Sequence, residues 1–142
     1  MNSKQFFYNF GKAMYHVDSF YDDFAKQSSI STTLLWVLYV LNDGNAHTQI
    51  EICKDWELPR TTVVKEIEKN GYIDLIPIKG KKREMNIVLT NLGKAYAEDV
   101  LSELYEIEAK VYDMLDANEK QVASMLNKIA ESLKESKEEK ID

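Results

Sequence analysis

The sequence has few of the residues that build cross-linked or metal-centred proteins. It contains one cysteine, Cys53, and two histidines, His16 and His47. A single cysteine excludes an intrachain disulfide and a cysteine-based metal cluster, and two scattered histidines are too few for a metal site. We therefore expect neither a metal nor another cofactor.

Long apolar runs are also missing. The longest, Leu34 to Leu41, has eight residues, whereas a helix that crosses a bilayer needs roughly 20. The first residues mix aromatic with polar side chains and lack the continuous apolar core of a signal peptide. The sequence therefore predicts a cytoplasmic protein without a membrane span.

Catalytic patterns are absent as well. The carboxylates fall mainly on helix faces that we expect to be solvated, and no glycine-rich loop is present that could cradle a phosphate. The chain has 142 residues, of which 44% are apolar, so it can bury a core of its own. We expect a globular protein that is not an enzyme.

Charge is distributed unevenly along the chain. Residues 47–90 hold 8 Lys and Arg against 7 Asp and Glu, a net of +1, whereas the remainder holds 10 against 17, a net of −7. The acidic total disfavours nonspecific binding of nucleic acid at long range. Positive charge is concentrated in the middle of the chain, where a local contact with phosphate would be favourable.

Apolar residues at spacings of three and four predict helices at both ends of the chain. The first helix covers residues 6–24, and a second, capped by Ser31 and apolar on every side, stops near residues 42–45. Thr90 can cap a long helix that ends near residue 116, and a further helix follows. From Lys134 onward the charged tail is expected to fray.

The middle segment, residues 48–90, predicts a helix-turn-helix followed by a β-hairpin. Thr48 and Glu51 fit a capping box, and the short helix they start should bury Ile52, Cys53 and Trp56. Leu58-Pro59 marks a turn, and the next helix should end at Gly71. Residues 73–78 and 84–89 form the two strands, and Pro77 confines the first to a sheet edge or a frayed end.

The chain resembles the multiple-antibiotic-resistance regulator (MarR) family of winged helix-turn-helix transcriptional regulators over nearly its whole length. The resemblance is carried by the segments EICKDWELPRTTV (51–63) and EKNGYI (68–73), and by Arg83 seven residues before Thr90 in the signature Leu89-Thr90-x-x-Gly93. It implies a homodimer in which the first helix and the last two pack together. It also implies that two winged modules straddle pseudo-palindromic DNA.

Two features depart from the family pattern. Lys81 stands two residues before Arg83, where the family usually has an aspartate. The recognition helix, residues 59–70, is about three residues shorter than the pattern, which is nearly one helical turn.

The candidate DNA-binding residues fall in two groups. In the recognition helix they could contact base edges and phosphates, and at the hairpin tip they could contact phosphates or the minor groove. The alternatives are a solvated helix face and a soluble turn, although four cations on one tip repel each other in the absence of an anion. The candidates are Arg60, Thr61, Thr62, Lys65, Lys69, Lys79, Lys81, Lys82 and Arg83.

A small-molecule effector would be an aromatic compound, because many members of the family hold such ligands between the helical frame and the winged module. Aromatic residues at helical spacing are also typical of a core or a dimer interface. The candidate ligand-binding residues are Tyr8, Tyr15, His16, Phe20, Trp36 and Tyr39. Cys53 could sense oxidants, but a packing role is favoured because no second cysteine is available to resolve an oxidised one.

The sequence thus predicts a mainly α protein with a small β-hairpin wing, a winged helix-turn-helix on a helical dimerisation frame. Residues 1–30 would supply the N-terminal frame helix, 31–90 the DNA-binding region, and 91–142 the C-terminal dimerisation helices. The expected function is sequence-specific binding of double-stranded DNA as a transcriptional regulator, most simply a repressor. The alternative is a helical protein–protein interaction module without DNA binding.

Overall fold

The computed structural model describes residues 1–57, 71–81 and 84–141, with only the backbone of Lys140 and Ile141. The chain divides into two compact units, Met1–Leu101 and Ser102–Asp142. The predicted turn at Leu58-Pro59 and the predicted recognition helix lie outside the described residues.

Helix α1, Ser3–Gln27, begins at a capping box. The Asn2 carboxamide oxygen accepts a hydrogen bond from the Gln5 N–H at 2.9 Å, and the Gln5 side chain accepts one from the Asn2 N–H at 3.2 Å. Two donors of the first turn are satisfied in this way, so the helix starts before the apolar stripe that predicted it. Only its end is buried, at Phe24 and Ala25.

Helix α2, Thr32–Leu41, is the central buried element, as predicted. Ser31 caps it, since its Oγ accepts a hydrogen bond from the Leu34 N–H at 3.0 Å. Its buried side chains are Leu34, Leu35, Val37, Leu38 and Leu41.

The described strands form one antiparallel sheet in the order β1-β3-β2. Strand β1, His47–Thr48, pairs with β3, Met85–Leu89, whose other side pairs with β2, Ile73–Pro77. The predicted hairpin is confirmed with strands one residue shorter. Pro77 is the last residue of an edge strand, where its missing N–H costs no ladder hydrogen bond.

Between β1 and the first gap lies helix α3, Gln49–Asp55. The capping box at Thr48 is confirmed, and Ile52 is fully buried. Cys53 is half-buried. The expectation that Trp56 is buried was wrong: it lies beyond the last residue of the helix and remains 38% exposed, although it stacks on the Trp36 indole.

Residues of both units contribute to helix α4, Asn91–Met114. In the second unit a break and a short 3₁₀ helix, Glu119–Gln121, precede helix α5, Val122–Ile141. Asp116 and Glu119 each accept a hydrogen bond from the other's N–H, which explains the break. The expected fraying from Lys134 was wrong. Its lysines and glutamates favour helix, and the tail contains neither proline nor glycine.

Candidate nucleic-acid interface

The wing of the molecule is the hairpin β2–β3. Its register runs from Ile73 opposite Leu89 to Pro77 opposite Met85. At the tip, the Lys81 N–H donates to the Ile78 carbonyl at 3.1 Å. Gly80 has φ of +86°, a left-handed conformation that side chains disfavour. The tip is therefore a tight turn that presents its flanking lysines to solvent.

Two of the candidate DNA-binding side chains lie within the described part of the wing. Lys79 is exposed, and the Lys81 ammonium lies 2.9 Å from the Glu84 carboxylate. Lys81, which stands where the family pattern has an aspartate, is therefore paired with a carboxylate. Because both groups are accessible to water, the pair is weak and a phosphate can replace the carboxylate. The other candidates, Arg60, Thr61, Thr62, Lys65, Lys69, Lys82 and Arg83, lie outside the described residues.

The base of the wing is clasped by Thr90. Its N–H donates to the Tyr72 carbonyl at 2.9 Å, and its hydroxyl donates to the Gly71 carbonyl at 2.9 Å. The same hydroxyl accepts the Gly93 N–H at 2.9 Å and thereby caps α4. One threonine thus joins the start of β2 to the start of the following helix, and we call this set of contacts the Thr90 clasp.

Gly93 is part of this junction for a steric reason. A Cβ atom at this position would lie 1.9 Å from the Tyr72 carbonyl oxygen and 2.8 Å from its carbon. The structure therefore explains why threonine and glycine stand at positions 90 and 93 of the signature that resembles the family. They fix the direction in which the hairpin leaves the helix.

A ring stack supports the clasp from the side. The Tyr72 and Tyr96 rings are nearly parallel, at an angle of 6° and a centroid distance of 4.1 Å. Burial raises the pKa of the Tyr96 phenol, and the neighbouring Tyr72 raises it further. The Tyr96 hydroxyl also reaches the Ser28 carbonyl at 3.4 Å. The base of the wing is therefore packed on the helical frame by rings as well as by hydrogen bonds.

The other end of the sheet is held at β1. The His47 imidazole Nε2 lies 2.8 Å from an Asp43 carboxylate oxygen, and its Nδ1 lies 3.8 Å from Glu51. The Asn45 N–H donates to Asp43 at 2.8 Å and lowers the pKa of that carboxyl, and His47 adds to the effect. We call Asp43, Asn45, His47 and Glu51 the β1 corner. It gives His47 a structural role.

The candidate ligand-binding residues are spread over two helices. Tyr8 and Tyr15 are 67% and 75% exposed, and His16 is also exposed. The Phe20 ring meets Tyr21 edge to face, and Trp36 contacts the Tyr39 ring with centroids 5.6 Å apart. Trp36 also lines a cleft between helices of the first unit.

The other residues that line this cleft were not among the candidates predicted from the sequence. Tyr21 and Trp56 both place their rings against Trp36, each with a centroid distance of 4.8 Å. Asp18 and Asp22 belong to the same wall. Their spacing of four residues puts them one above the other on α1, so the sequence alone indicates that these two carboxylates are neighbours.

The described residues give two further findings. No group of three His, Cys, Asp or Glu side chains within residues 1–57, 71–81 and 84–141 could hold a metal ion. Among the helices described, none has an apolar stretch long enough to cross a membrane.

The chain is similar over nearly its whole length to solved structures of regulators. NMB1585, a MarR family regulator from Neisseria meningitidis, matches with a TM-score of 0.81 and 24% identity, covering 98% of this chain and 99% of that one. S. aureus MepR in a DNA-binding conformation matches with a TM-score of 0.74 and 22% identity, over 90% and 98%. NadR in complex with 4-hydroxyphenylacetate matches with a TM-score of 0.68 and 14% identity, over 88% and 89%.

Comparison with protein-family models and with curated proteins gives no match. The structural likeness nevertheless extends through helices and sheet alike. The chain therefore has the winged-helix fold of MarR family regulators, mainly helical with a small antiparallel sheet, as its sequence predicted.

Proposed function

We propose that this chain is a MarR family transcriptional regulator that binds double-stranded DNA as a homodimer and acts as a repressor. The observation that carries the proposal is the wing, whose base is fixed by the Thr90 clasp and whose tip presents lysines to solvent. A similar fold is seen in MepR in its DNA-binding conformation. A rigid base with a cationic tip suits contact with a phosphate backbone.

The dimer is supported by apolar side chains that each helix leaves open to solvent. On α1 these include Phe6, Phe7 and Val17, and on α5 they include Met125 and Leu133. Exposed apolar stripes on two long helices are typical of a surface that a second copy covers. In a homodimer the two wings would be related by a two-fold axis, as pseudo-palindromic DNA requires.

Binding to duplex DNA from the region upstream of the protein's own gene tests the proposal directly. A mobility shift at nanomolar to micromolar protein, stronger than on a random duplex of equal length, is expected for a sequence-specific regulator. Absence of binding to either duplex would favour the interaction-module alternative, and equal binding to both would show nonspecific DNA binding and contradict a sequence-specific regulator. Transcription from that promoter, measured with and without the protein, distinguishes repression from activation.

The wing has its own test. Replacing Lys81, Lys82 and Arg83 together by Ala should weaken binding on all sequences and flatten its salt dependence, since each lost phosphate contact lowers the logarithmic slope by roughly 0.9. Replacing Lys4, Lys110 and Lys128, which are exposed on the helices, removes the same charge elsewhere and is the matched control. If both triple variants change the slope equally, net charge rather than the wing is responsible.

Arg60 is the proposed base reader. Its replacement by Ala should cost about 1–3 kcal/mol on the cognate site and much less on random DNA, because a base-edge contact discriminates and a phosphate contact does not. Anisotropy titrations on both duplexes measure the difference. Equal losses would assign Arg60 to the backbone, and specificity would then rest on Thr61, Thr62, Lys65 or DNA shape.

We further propose that a small molecule controls release from DNA. NadR, which shares the fold, was crystallised with 4-hydroxyphenylacetate. In this chain the Tyr21–Trp36 contact joins α1 to α2, and Phe20 and Tyr39 each contact one of these two rings from the same helix. Their rings supply the apolar surface that small-molecule sites use.

A further inference from the structure

A cleft of about 300 Å³ opens in the first unit where α1, the start of α2 and the end of α3 meet. This volume is at the lower end of the range for small-molecule sites. Its walls combine aromatic rings with carboxylates and hydroxyls. The lining residues are Asp18, Tyr21, Asp22, Thr32, Thr33, Trp36 and Trp56.

Three aromatic rings build the apolar part of the cleft. Trp36 is central, with Trp56 stacked against it at 29° and Tyr21 tilted at 41°. Trp36 and Trp56 are the two tryptophans of the chain. Trp56 remains 38% exposed although it stacks on Trp36, so part of its electron-rich ring is available to a ligand.

Two carboxylates give the cleft its charge. Asp18 and Asp22 are one helical turn apart, so their repulsion is unfavourable until a cation arrives. The Thr32 hydroxyl donates to Asp22 at 2.8 Å and fixes that side chain at the edge of the cleft. Among the described residues that line the cleft, none is a lysine, arginine or histidine that could neutralise the pair.

We propose that this cleft binds an organic cation with an apolar body, such as a quaternary ammonium compound. A cation is attracted to the face of an aromatic ring, most strongly to Trp, and aromatic cages are a common means of recognising quaternary ammonium groups. The two aspartates add charge complementarity and disfavour anionic ligands such as aromatic carboxylates. If the rings packed only to stabilise the helices, neither the two carboxylates beside them nor the exposure of Trp56 would be needed.

Binding of an organic cation rests on the effector part of the proposed function, to which it adds a ligand class. The binding itself can be measured without DNA. Failure of DNA binding would leave the cleft proposal standing, and failure of cation binding would leave the wing and the recognition segment untouched.

The test uses phenyltrimethylammonium as probe and tert-butylbenzene, its uncharged carbon isostere, as control. Phenylacetate serves as the anionic comparison. Because both tryptophans line the cleft, intrinsic fluorescence reports occupancy, with N-acetyltryptophanamide titrated in parallel to correct for collisional quenching. We expect the cation to bind at least about fivefold more tightly than either control, and the difference to shrink as salt is added.

Variants assign the charge. Asp18→Asn and Asp22→Asn should each weaken binding of the cation by about two- to fivefold and leave tert-butylbenzene unaffected. In Asp22→Asn the carboxamide oxygen can still accept the Thr32 hydrogen bond, so the helix contact is retained. Asp23→Asn is the matched control, since Asp23 is exposed and lies outside the cleft.

Three results would overturn the proposal. These are equal affinity for the cation and its isostere, stronger binding of phenylacetate, and an equal loss in the Asp23 control. Far-ultraviolet circular dichroism of each variant shows whether the fold is kept. A Trp56→Leu variant provides an independent check, because it removes one ring without changing charge and should weaken the cation more than the isostere.

Discussion

The base of the wing and helix α5 differ in how far contacts within the chain cover their side chains. At the base of the wing, polar groups are paired and rings are stacked within one chain, through the Thr90 clasp and the Tyr72–Tyr96 pair. On α5, Met125 and Leu133 remain about half exposed, at 51% and 52%. The first region is structurally complete, whereas the second retains apolar surface that a further surface could cover.

Under the proposed function, this difference would combine a fixed direction of the wing with assembly from two copies. In that proposal the wing must keep its direction for its tip to contact phosphate, and the Thr90 clasp and the Tyr72–Tyr96 stack hold its base. An assembly surface needs apolar area and complementary shape, and these can be supplied by a second chain. Substitutions that act only on the base of the wing or only on α5 test the two regions separately.

The largest effect is expected at Gly93. Gly93→Ala would place a Cβ atom 1.9 Å from the Tyr72 carbonyl oxygen, which cannot move without breaking its hydrogen bond from Thr90. We expect a loss of about 3 kcal/mol or more in the free energy of unfolding, measured by chemical denaturation.

Gly11 supplies the control for that substitution. It lies in α1, and a Cβ atom there would have nothing within 4 Å. Gly11→Ala should be neutral or stabilise the protein by about 0.5–1 kcal/mol through helix propensity. If the two alanine variants unfold alike, the close approach at the base of the wing is not rigid.

The next effect concerns α5. Leu133→Glu or Leu126→Glu would place a carboxylate in the proposed dimer interface, and we expect dimerisation to weaken by about 1.5–3 kcal/mol, tenfold or more in the dissociation constant. Sedimentation equilibrium measures the change. Ser124→Glu is the control, because Ser124 lies about half a turn round the helix from Leu133. A wild-type chain that sediments as a stable monomer at micromolar concentration would contradict the dimer proposal.

Local patterns allowed much of the fold to be predicted. The caps at Ser31 and Thr48 need only residues within four positions, and the hairpin needs only two β-rich runs with a turn between them. The same logic would have found the start of α1, since Asn2 and Gln5 have the spacing of a capping box. Helix α5 continues beyond its predicted end because lysine and glutamate favour helix, which outweighs the charge of the tail.

The cleft could not be predicted from such patterns. The position of Trp36 in its own helix makes it a candidate ligand residue, but Tyr21 contacts it from α1 and Trp56 from the residue that follows α3. Their contacts depend on how the helices pack, which no spacing along the chain specifies. The reason for Gly93 is likewise nonlocal, because the atom that excludes a side chain belongs to Tyr72.

A smaller effect than at Gly93 is expected from the clasp hydroxyl. Thr90→Val keeps the shape of the side chain but removes the donor to Gly71 and the acceptor of the Gly93 N–H. Loss of a helix cap of this kind costs about 1–2 kcal/mol, measurable by denaturation. Thr90→Ser keeps the hydroxyl and should recover most of the stability. If Ser and Val are equally destabilising, the methyl group rather than the clasp stabilises the base of the wing.

The smallest effect is expected at the β1 corner, through pH. The N–H of Asn45, and secondarily His47, lower the pKa of the Asp43 carboxyl from its ordinary value of 3.8. A lowered pKa in the folded state means that the charged carboxylate contributes stability above pH 3.8, and that this contribution is lost as the pH falls through the folded pKa. Asp43→Asn still offers an oxygen to the Asn45 N–H but carries no charge. The difference in unfolding free energy between wild type and variant should therefore shrink as pH is lowered from about 6 to about 3. A difference that stays constant over this range would show that the charge of Asp43 does not stabilise the corner.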